Sequence, residues 1–348
     1  MGRIHSVTIC TLLLLMSYAS VVQPVELPDD TISHTESTNN PWPFGIPDML
    51  DPVGYPNIDG VVEDEQGNVY VSGTFTAQPG GGTEDGFDGL IFPNSTHTHA
   101  MPSYRAFVAK YSYVDGWQWV KVVDSQNEET HSGQSQVWIG LDSQGSVYIT
   151  GKLRMYDSST CYDFDSIQIC ANSSRDSADT HDIFVAKIDT NGNWIWAKNY
   201  NHFDQYDHFE FVADLYIDAN DNLYLTGSYF LMLKLDSSGN VLDTQLHPNS
   251  VADHDKVRGT SIAANSTGDV VIAVKETWNG VTYYLSNGES FSAAAGNQGR
   301  CGGSTGNGYL IHRASDGQFK WGTTCSTDYG TSSGSNIDIE IGPTGSHA

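Results

Sequence analysis

The chain is short of positive charge, of cysteine and of long apolar runs. Sixteen Lys and Arg stand against 42 Asp and Glu among 348 residues, a formal net charge of −26. Nucleic-acid binding needs clustered cations to displace counterions, so that class of partner is excluded, and adhesion to anionic lipid with it. After residue 19 no apolar stretch approaches the ~20 residues of a spanning helix. Membrane insertion is therefore not expected once the leader is removed. Catalytic signatures are also missing: there is no Gly-x-Ser-x-Gly, His-Glu-x-x-His, P-loop or dinucleotide fingerprint. Gly80-Gly81-Gly82 has no following Lys-Ser/Thr and helix, so it reads as a loop. No catalytic residue and no organic cofactor is assigned.

What is present begins with an export signal. Ile9 to Met16 is an apolar core, and Ser17-Tyr18-Ala19 puts small residues at −3 and −1, so cleavage is expected after Ala19. Four cysteines then remain, Cys161, Cys170, Cys301 and Cys325, which admit three pairings. Asn94, Asn172 and Asn265 head glycosylation sequons. Residues 20–55 are rich in Pro, Ser and Asn without apolar period, and read as a lead-in or linker.

Beyond residue 56 the chain repeats itself. Asp64-Glu65-Gln66-Gly67-Asn68-Val69-Tyr70-Val71-Ser72-Gly73 returns as Asp142-Ser143-Gln144-Gly145-Ser146-Val147-Tyr148-Ile149-Thr150-Gly151. It returns again as Asp218-Ala219-Asn220-Asp221-Asn222-Leu223-Tyr224-Leu225-Thr226-Gly227. A worn copy is Ile262 to Ala273, and a partial one runs from Ile337 to Gly345. Alternating apolar residues around an Asp-x-x-Gly turn specify a β-hairpin. A second hairpin follows each complete copy, as in Phe184-Val185-Ala186-Lys187-Ile188-Asp189-Thr190-Asn191-Gly192-Asn193-Trp194-Ile195-Trp196. Two hairpins make a four-stranded antiparallel unit. The turn positions 67, 145, 221, 268 and 345 are spaced by 78, 76, 47 and 77 residues. Blades of that size repeating in one chain predict a β-propeller.

These two hairpin motifs resemble the SBBP-type β-propeller repeat of secreted and surface proteins, over roughly residues 57–348. The Trp-bearing second hairpins, Gly192 to Trp196 and Gly317 to Trp321, are distantly similar to quinoprotein-like propeller blades. The resemblance implies an all-β fold of four complete blades (about 57–124, 135–201, 210–247 and 257–325) and the first strand of a fifth at 335–348. A fifth blade that stops after its first strand leaves an unpaired edge, so a propeller truncated from a longer protein is expected. Propellers host many activities, so function must come from the site.

In such a blade the two tight turns lie at one end and the other connections at the opposite end. The extra length falls at that opposite end, at about 76–104, 152–181 and 275–307, while the third blade has almost none. Loops of this length clustered on one face point to binding of an extracellular glycan or protein. Phe87, Phe92, Tyr162, Phe164, Tyr283 and Tyr284 are the aromatic candidates for that face, against packing of each insertion on its own blade. The same map favours Cys161–Cys170 and Cys301–Cys325 as disulfides.

Trp119, Trp196 and Trp321 recur late in the second hairpin and read as wedges between blades. Asp189-x-Asn191-x-Asn193 and Asp218-x-Asn220-x-Asn222 have the oxygen spacing that opens a calcium loop, without its downstream Glu; the same letters serve ordinary turns. His97 with His99, and His202, Asp204, Asp207 and His208, are weaker polar groupings. The expectation is an exported, acidic, non-catalytic scaffold, with a propeller enzyme (polysaccharide lyase or quinoprotein-like oxidoreductase) or a structural spacer as alternatives.

Overall fold

The computed structural model describes residues 57–77, 86–87, 90–92, 103–125, 136–155, 160–170, 180–200, 212–228, 230–246, 257–276, 282–292 and 307–324. All regular structure among them is β, and no helix occurs there. The first unit contains β1 (Asn57–Glu63), β2 (Val69–Ala77), the short β3 (Gly86–Phe87) and β4 (Leu90–Ile91), β5 (Ser103–Ser112) and β6 (Gly116–Val122). The bridging strand β7 (Asp124–Ser125) follows. The second unit contains β8 (Trp138–Leu141), β9 (Val147–Met155), β10 (Cys161–Phe164), β11 (Ile167–Cys170), β12 (Thr180–Ile188) and β13 (Trp194–Tyr200). The third is β14 (Val212–Ile217), β15 (Leu223–Gly227), β16 (Phe230–Leu235) and β17 (Val241–Leu246). The fourth is β18 (Val257–Ala264), β19 (Val270–Glu276), β20 (Thr282–Tyr284), β21 (Ser290–Ser292), β22 (Asn307–Arg313) and β23 (Phe319–Thr324).

Four antiparallel four-stranded sheets result, sheets 1 to 4, ordered β1-β2-β5-β6, β8-β9-β12-β13, β14-β15-β16-β17 and β18-β19-β22-β23. Among the described residues no sheet closes on itself. The fifth first strand, the leader and the 20–55 segment lie outside the described residues.

The hairpin turns explain why the Asp-x-x-Gly letters recur. At Asp64 the backbone carbonyl accepts from Gly67 N at 3.1 Å and the backbone N donates to Asn68 O at 2.9 Å. The same two bonds recur at Asp142, Asp189, Asp218, Asp236, Asn265, Leu285 and Ala314. This is a type I turn closed by a left-handed residue, the three-residue hairpin loop. Glycine fills the left-handed position, as at Gly192 with φ 86°, except in the first turn of sheet 3, where Asp221 takes it at φ 62°. The leading Asp carboxylate then accepts the amides two and four residues on, at 2.9 and 2.8 Å in Asp64.

The sheets meet in chain order through their first strands, β1 on β8, β8 on β14 and β14 on β18. Apolar residues fill each join. Val62, Tyr70, Val108, Val137, Ile139 and Phe184 share one core between sheets 1 and 2. Tyr148, Val185, Leu215, Leu225 and Leu233 share another between sheets 2 and 3. Tyr224, Leu231, Ile262, Ile272 and Ile311 do so between sheets 3 and 4. Burying such side chains contributes on the order of 1.5–3 kcal/mol each before conformational entropy is set against it.

Polar bonds fix the register of each join. Asp59 Oδ2 accepts Val137 N at 3.1 Å, Trp138 Nε1 donates to Val212 O at 3.1 Å, and Asp214 Oδ2 accepts Ile262 N at 2.9 Å. A buried polar group costs free energy unless paired, so each bond also penalises slippage.

Candidate functional site

The long connections 78–102, 156–179 and 277–306 all leave the second strand of a sheet and return at its third. Antiparallel pairing puts the strand ends they leave and return to at the end opposite the tight turns. In sheet 3 the corresponding link is short: β15 ends at Gly227 and β16 starts at Phe230. That asymmetry agrees with the sequence.

The described parts of the insertions do not form a free rim. Each contains a small hairpin, β3–β4, β10–β11 or β20–β21, that folds back onto a sheet. Phe92 stacks on Phe75 with ring centroids 4.3 Å apart and lies 5.0 Å from Phe107. Phe164 meets Trp194 edge-on at 5.0 Å, and Tyr162 Oη donates to Arg154 O at 2.7 Å. Tyr283 packs at 5.0 Å against Phe319 and shares a 3.0 Å hydrogen bond with Tyr309 Oη. Phe92, Tyr162, Phe164 and Tyr283 are buried, so a ligand does not reach them. Their apolar rings have more to gain from covering a sheet than from facing water. Tyr284, in contrast, is 74% exposed. Phe87 lies in β3, and its side chain falls outside the description.

The Cys161–Cys170 disulfide is present and ties the two strands of the β10–β11 hairpin at directly paired positions. This hairpin also reaches sheet 1: β10 pairs with β7, and Lys121 Nζ meets Asp165 Oδ2 at 2.7 Å. Cys301, Cys325, Asn94, Asn172, His97, His99, His202, Asp204, Asp207 and His208 lie outside the described residues. Asn265 is inside them, in the first turn of sheet 4. Its Oδ1 accepts Thr267 N and Asp269 N, and its Nδ2 donates to Asp269 Oδ2 at 3.3 Å.

Both calcium-like triplets sit in hairpin turns. Asp189 Oδ1 accepts Asn191 N and Asn193 N, while Asn193 Nδ2 donates to Oδ2 at 2.9 Å. Asp218 is engaged likewise by Asn220 N, Asn222 N and Asn222 Nδ2, and by Tyr224 Oη at 3.2 Å. Burial opposes ionisation of Asp189, but the bonds from Asn193 and Asn191 outweigh it and hold its pKa below the ordinary carboxylate value. In each triplet the aspartate therefore spends its oxygens on its own turn. Among the described residues no three His, Cys, Asp or Glu side chains gather as a metal site would require.

Two charged groups at the long-connection end have perturbed protonation. Burial raises Asp59 to about 6, with the Val137 amide pulling the other way. Arg105, 3% exposed, pairs with Asp124 at 3.2 Å. Its Nε and Nη2 have no hydrogen-bond partner among the described residues. Burial lowers the Arg105 pKa and Asp124 opposes the shift.

At the tight-turn end the tryptophans do join sheets. Trp119 of β6 lies on the β12–β13 turn of sheet 2: its Nε1 donates to Thr190 O at 3.4 Å, and a Cβ on Gly192 would come within 2.9 Å of the ring. Trp196 of β13 repeats this on sheet 3, with Nε1 to Ser237 O at 3.3 Å and 2.8 Å from a Cβ on Gly239. The equivalent residue of β17 is Asp243, which meets Arg313 of sheet 4 at 2.8 Å. Trp321 occupies the same position in β23 and stacks on His312 at 5.3 Å. Sequence reasoning missed the Asp243–Arg313 substitution because Arg313 belongs to a different repeat.

The arrangement defines an all-β protein of successive four-stranded antiparallel sheets. No helix among the described residues is long and apolar enough to cross a membrane. No family model and no curated protein matches the chain. Among solved structures, it is similar to the extracellular domain of a putative hybrid two-component system from B. thetaiotaomicron. The identity is 11% and the TM-score 0.21, over 82% of this chain. The chain spans about half of that domain's length, 48%. A score that low carries no argument about fold or ligand.

Proposed function

We propose that the chain forms an exported β-propeller that serves as a non-catalytic binding scaffold for an extracellular glycan or protein. The observation that carries this reading is the threefold repetition of one join. Each sheet lays its first strand on the next, and all long connections emerge at the same end. Such a frame holds its long connections on rigid strands, which is how loop-borne binding sites are built. The apolar leader before Ala19 and the Cys161–Cys170 disulfide support an oxidising, extracellular setting. The acidic excess favours neutral or cationic ligands over polyanions.

The test is a titration of the whole secreted chain on arrayed polysaccharides and cationic proteins, with product release measured in parallel. Saturable binding without turnover is the expected result. Release of cleaved or oxidised product would assign an enzyme instead. Absence of any saturable ligand would leave a structural spacer.

A further inference from the structure

Sheets 1, 2 and 3 each receive the first strand of the next sheet on one face. β8 lies on β1 and β2, β14 on β8 and β9, and β18 on β14, β15 and β16. The side chains that enter these joins keep fixed places before the first turn. Ile139, Leu215 and Ile262 hold one place, and Leu141, Ile217 and Ala264 hold another two residues on, all within the cores between sheets.

Sheet 4 has a corresponding face, which alternates with the one that meets sheet 3. Ala263 and Ala273 are 0% exposed there and Val271 1%. The described hydrophobic neighbours of these three are Leu310 and Trp321 of the same sheet and Tyr216 of sheet 3. Among the described residues no further sheet packs on this face.

We propose that residues 337–341, which lie outside the described residues, dock on this face as a fifth first strand, with Ile339 and Ile341 against Ala263, Val271 and Ala273. Ile339 and Ile341 stand before Gly345 as Ile139 and Leu141 stand before Gly145. The link from Thr324 to Ile337 is close in length to those from Tyr200 to Val212 and from Leu246 to Val257. Asp338 and Glu340 alternate with the isoleucines, so an extended strand here has one apolar side and one charged side, which suits a single buried face. The segment 20–55 has no such period, and the net charge of −26 disfavours a second copy as the cover. The join of sheets 2 and 3 supplies the contact: a Cβ on Gly140 would lie 2.8 Å from Ile217 Cδ1. Ala263 and Ile341 hold the equivalent places, and the alanine methyl requires Ile341 to sit slightly farther out. This docking does not depend on what the long connections bind.

The test uses the whole secreted chain. Ile339→Asp should speed amide exchange in β18 and β19 by about tenfold or more, the loss of one buried aliphatic side chain, and leave β8 and β9 unchanged. Ala263→Cys combined with Ile341→Cys tests the contact with a smaller change. After air oxidation, a non-reduced digest should contain peptides linked through positions 263 and 341 of one chain. Val61→Cys on sheet 1, combined with Ile341→Cys, should give no such link. If Ile339→Asp loosens every sheet, the cross-link decides. Unchanged exchange in β18 and β19, absence of the 263–341 link, an equal link to position 61, or a link formed only between two copies would each overturn the proposal.

Discussion

Sheets 2 and 3 join differently from sheets 3 and 4, although the same hairpin builds all of them. In the first join Trp196 lies against the Gly239 turn and donates to Ser237 O. Lys198 Nζ adds a 2.7 Å bond to Ser238 O, and Tyr200 Oη another of 2.7 Å to Gly239 O. In the second join Asp243 replaces the indole and pairs with Arg313, whose Nε also donates to Gln245 Oε1 at 3.2 Å. The first join therefore draws on ring burial and shape. The second keeps an apolar core but uses a charge pair at that place, with Arg313 largely buried and Asp243 38% exposed at its side chain. A repeat can thus keep its geometry while exchanging the interaction that fastens it.

Four substitutions separate the two kinds of join, and a fifth probes the join of sheets 1 and 2. The largest effect should come from Trp196→Ala, which removes a half-buried ring and its hydrogen bond. A loss of about 3 kcal/mol in urea unfolding is expected, the low end for aromatic truncation. Gly239→Ala should follow. It forces alanine to φ 73° and drives its Cβ against Trp196. Gly317→Ala meets the same backbone cost at φ 85°, but its nearest neighbour is the end of the Arg313 side chain at 3.4 Å. The first should cost about 2–3 kcal/mol and the second about 1. Equal losses would show that the ring contact contributes nothing.

Asp243→Asn should cost about 1 kcal/mol, less at high salt, because its side chain is partly solvated. The Trp196 effect should be insensitive to salt. Finally, Asp59→Asn should change the pH dependence of stability. A carboxyl whose pKa is raised by folding adds stability that is complete below its ordinary value of 3.8 and is lost as pH rises through about 6. The asparagine variant should flatten the stability curve between about pH 4 and 6, read from urea midpoints. The turn aspartates work in the opposite direction. Backbone and side-chain bonds from Asn240 hold Asp236 below its ordinary pKa, so its contribution is present above pH 3.8 and fades as pH falls further.

The four sheets were legible because their signals are local. An Asp that bonds the amides two and four residues ahead needs only its own turn, and strand alternation needs only its own hairpin. The wedge role of Trp119 and Trp196 was also readable, since an aromatic at a fixed place in each repeat needs a fixed neighbour. The insertions were harder. Their length and their shared end of the sheets follow from topology, but the folding of β10–β11 onto Trp194 and of β20–β21 onto Phe319 does not. Phe164 and Tyr283 looked like ligand candidates because exposed and buried aromatics share one alphabet. The Asp189 and Asp218 triplets looked like cation loops for a similar reason: turn bonds and metal ligation use the same oxygens.

The sequence by itself determined the unit of this protein, a pair of hairpins with left-handed turns, because those choices are made within a dozen residues. It also determined the acidic character and the end from which the long connections leave. Tertiary structure alone decided which aromatics face water and which join carries an ion pair in place of an indole. Those outcomes depend on contacts such as Arg313 with Asp243 and Phe164 with Trp194, between residues far apart in the chain, and no local pattern records them.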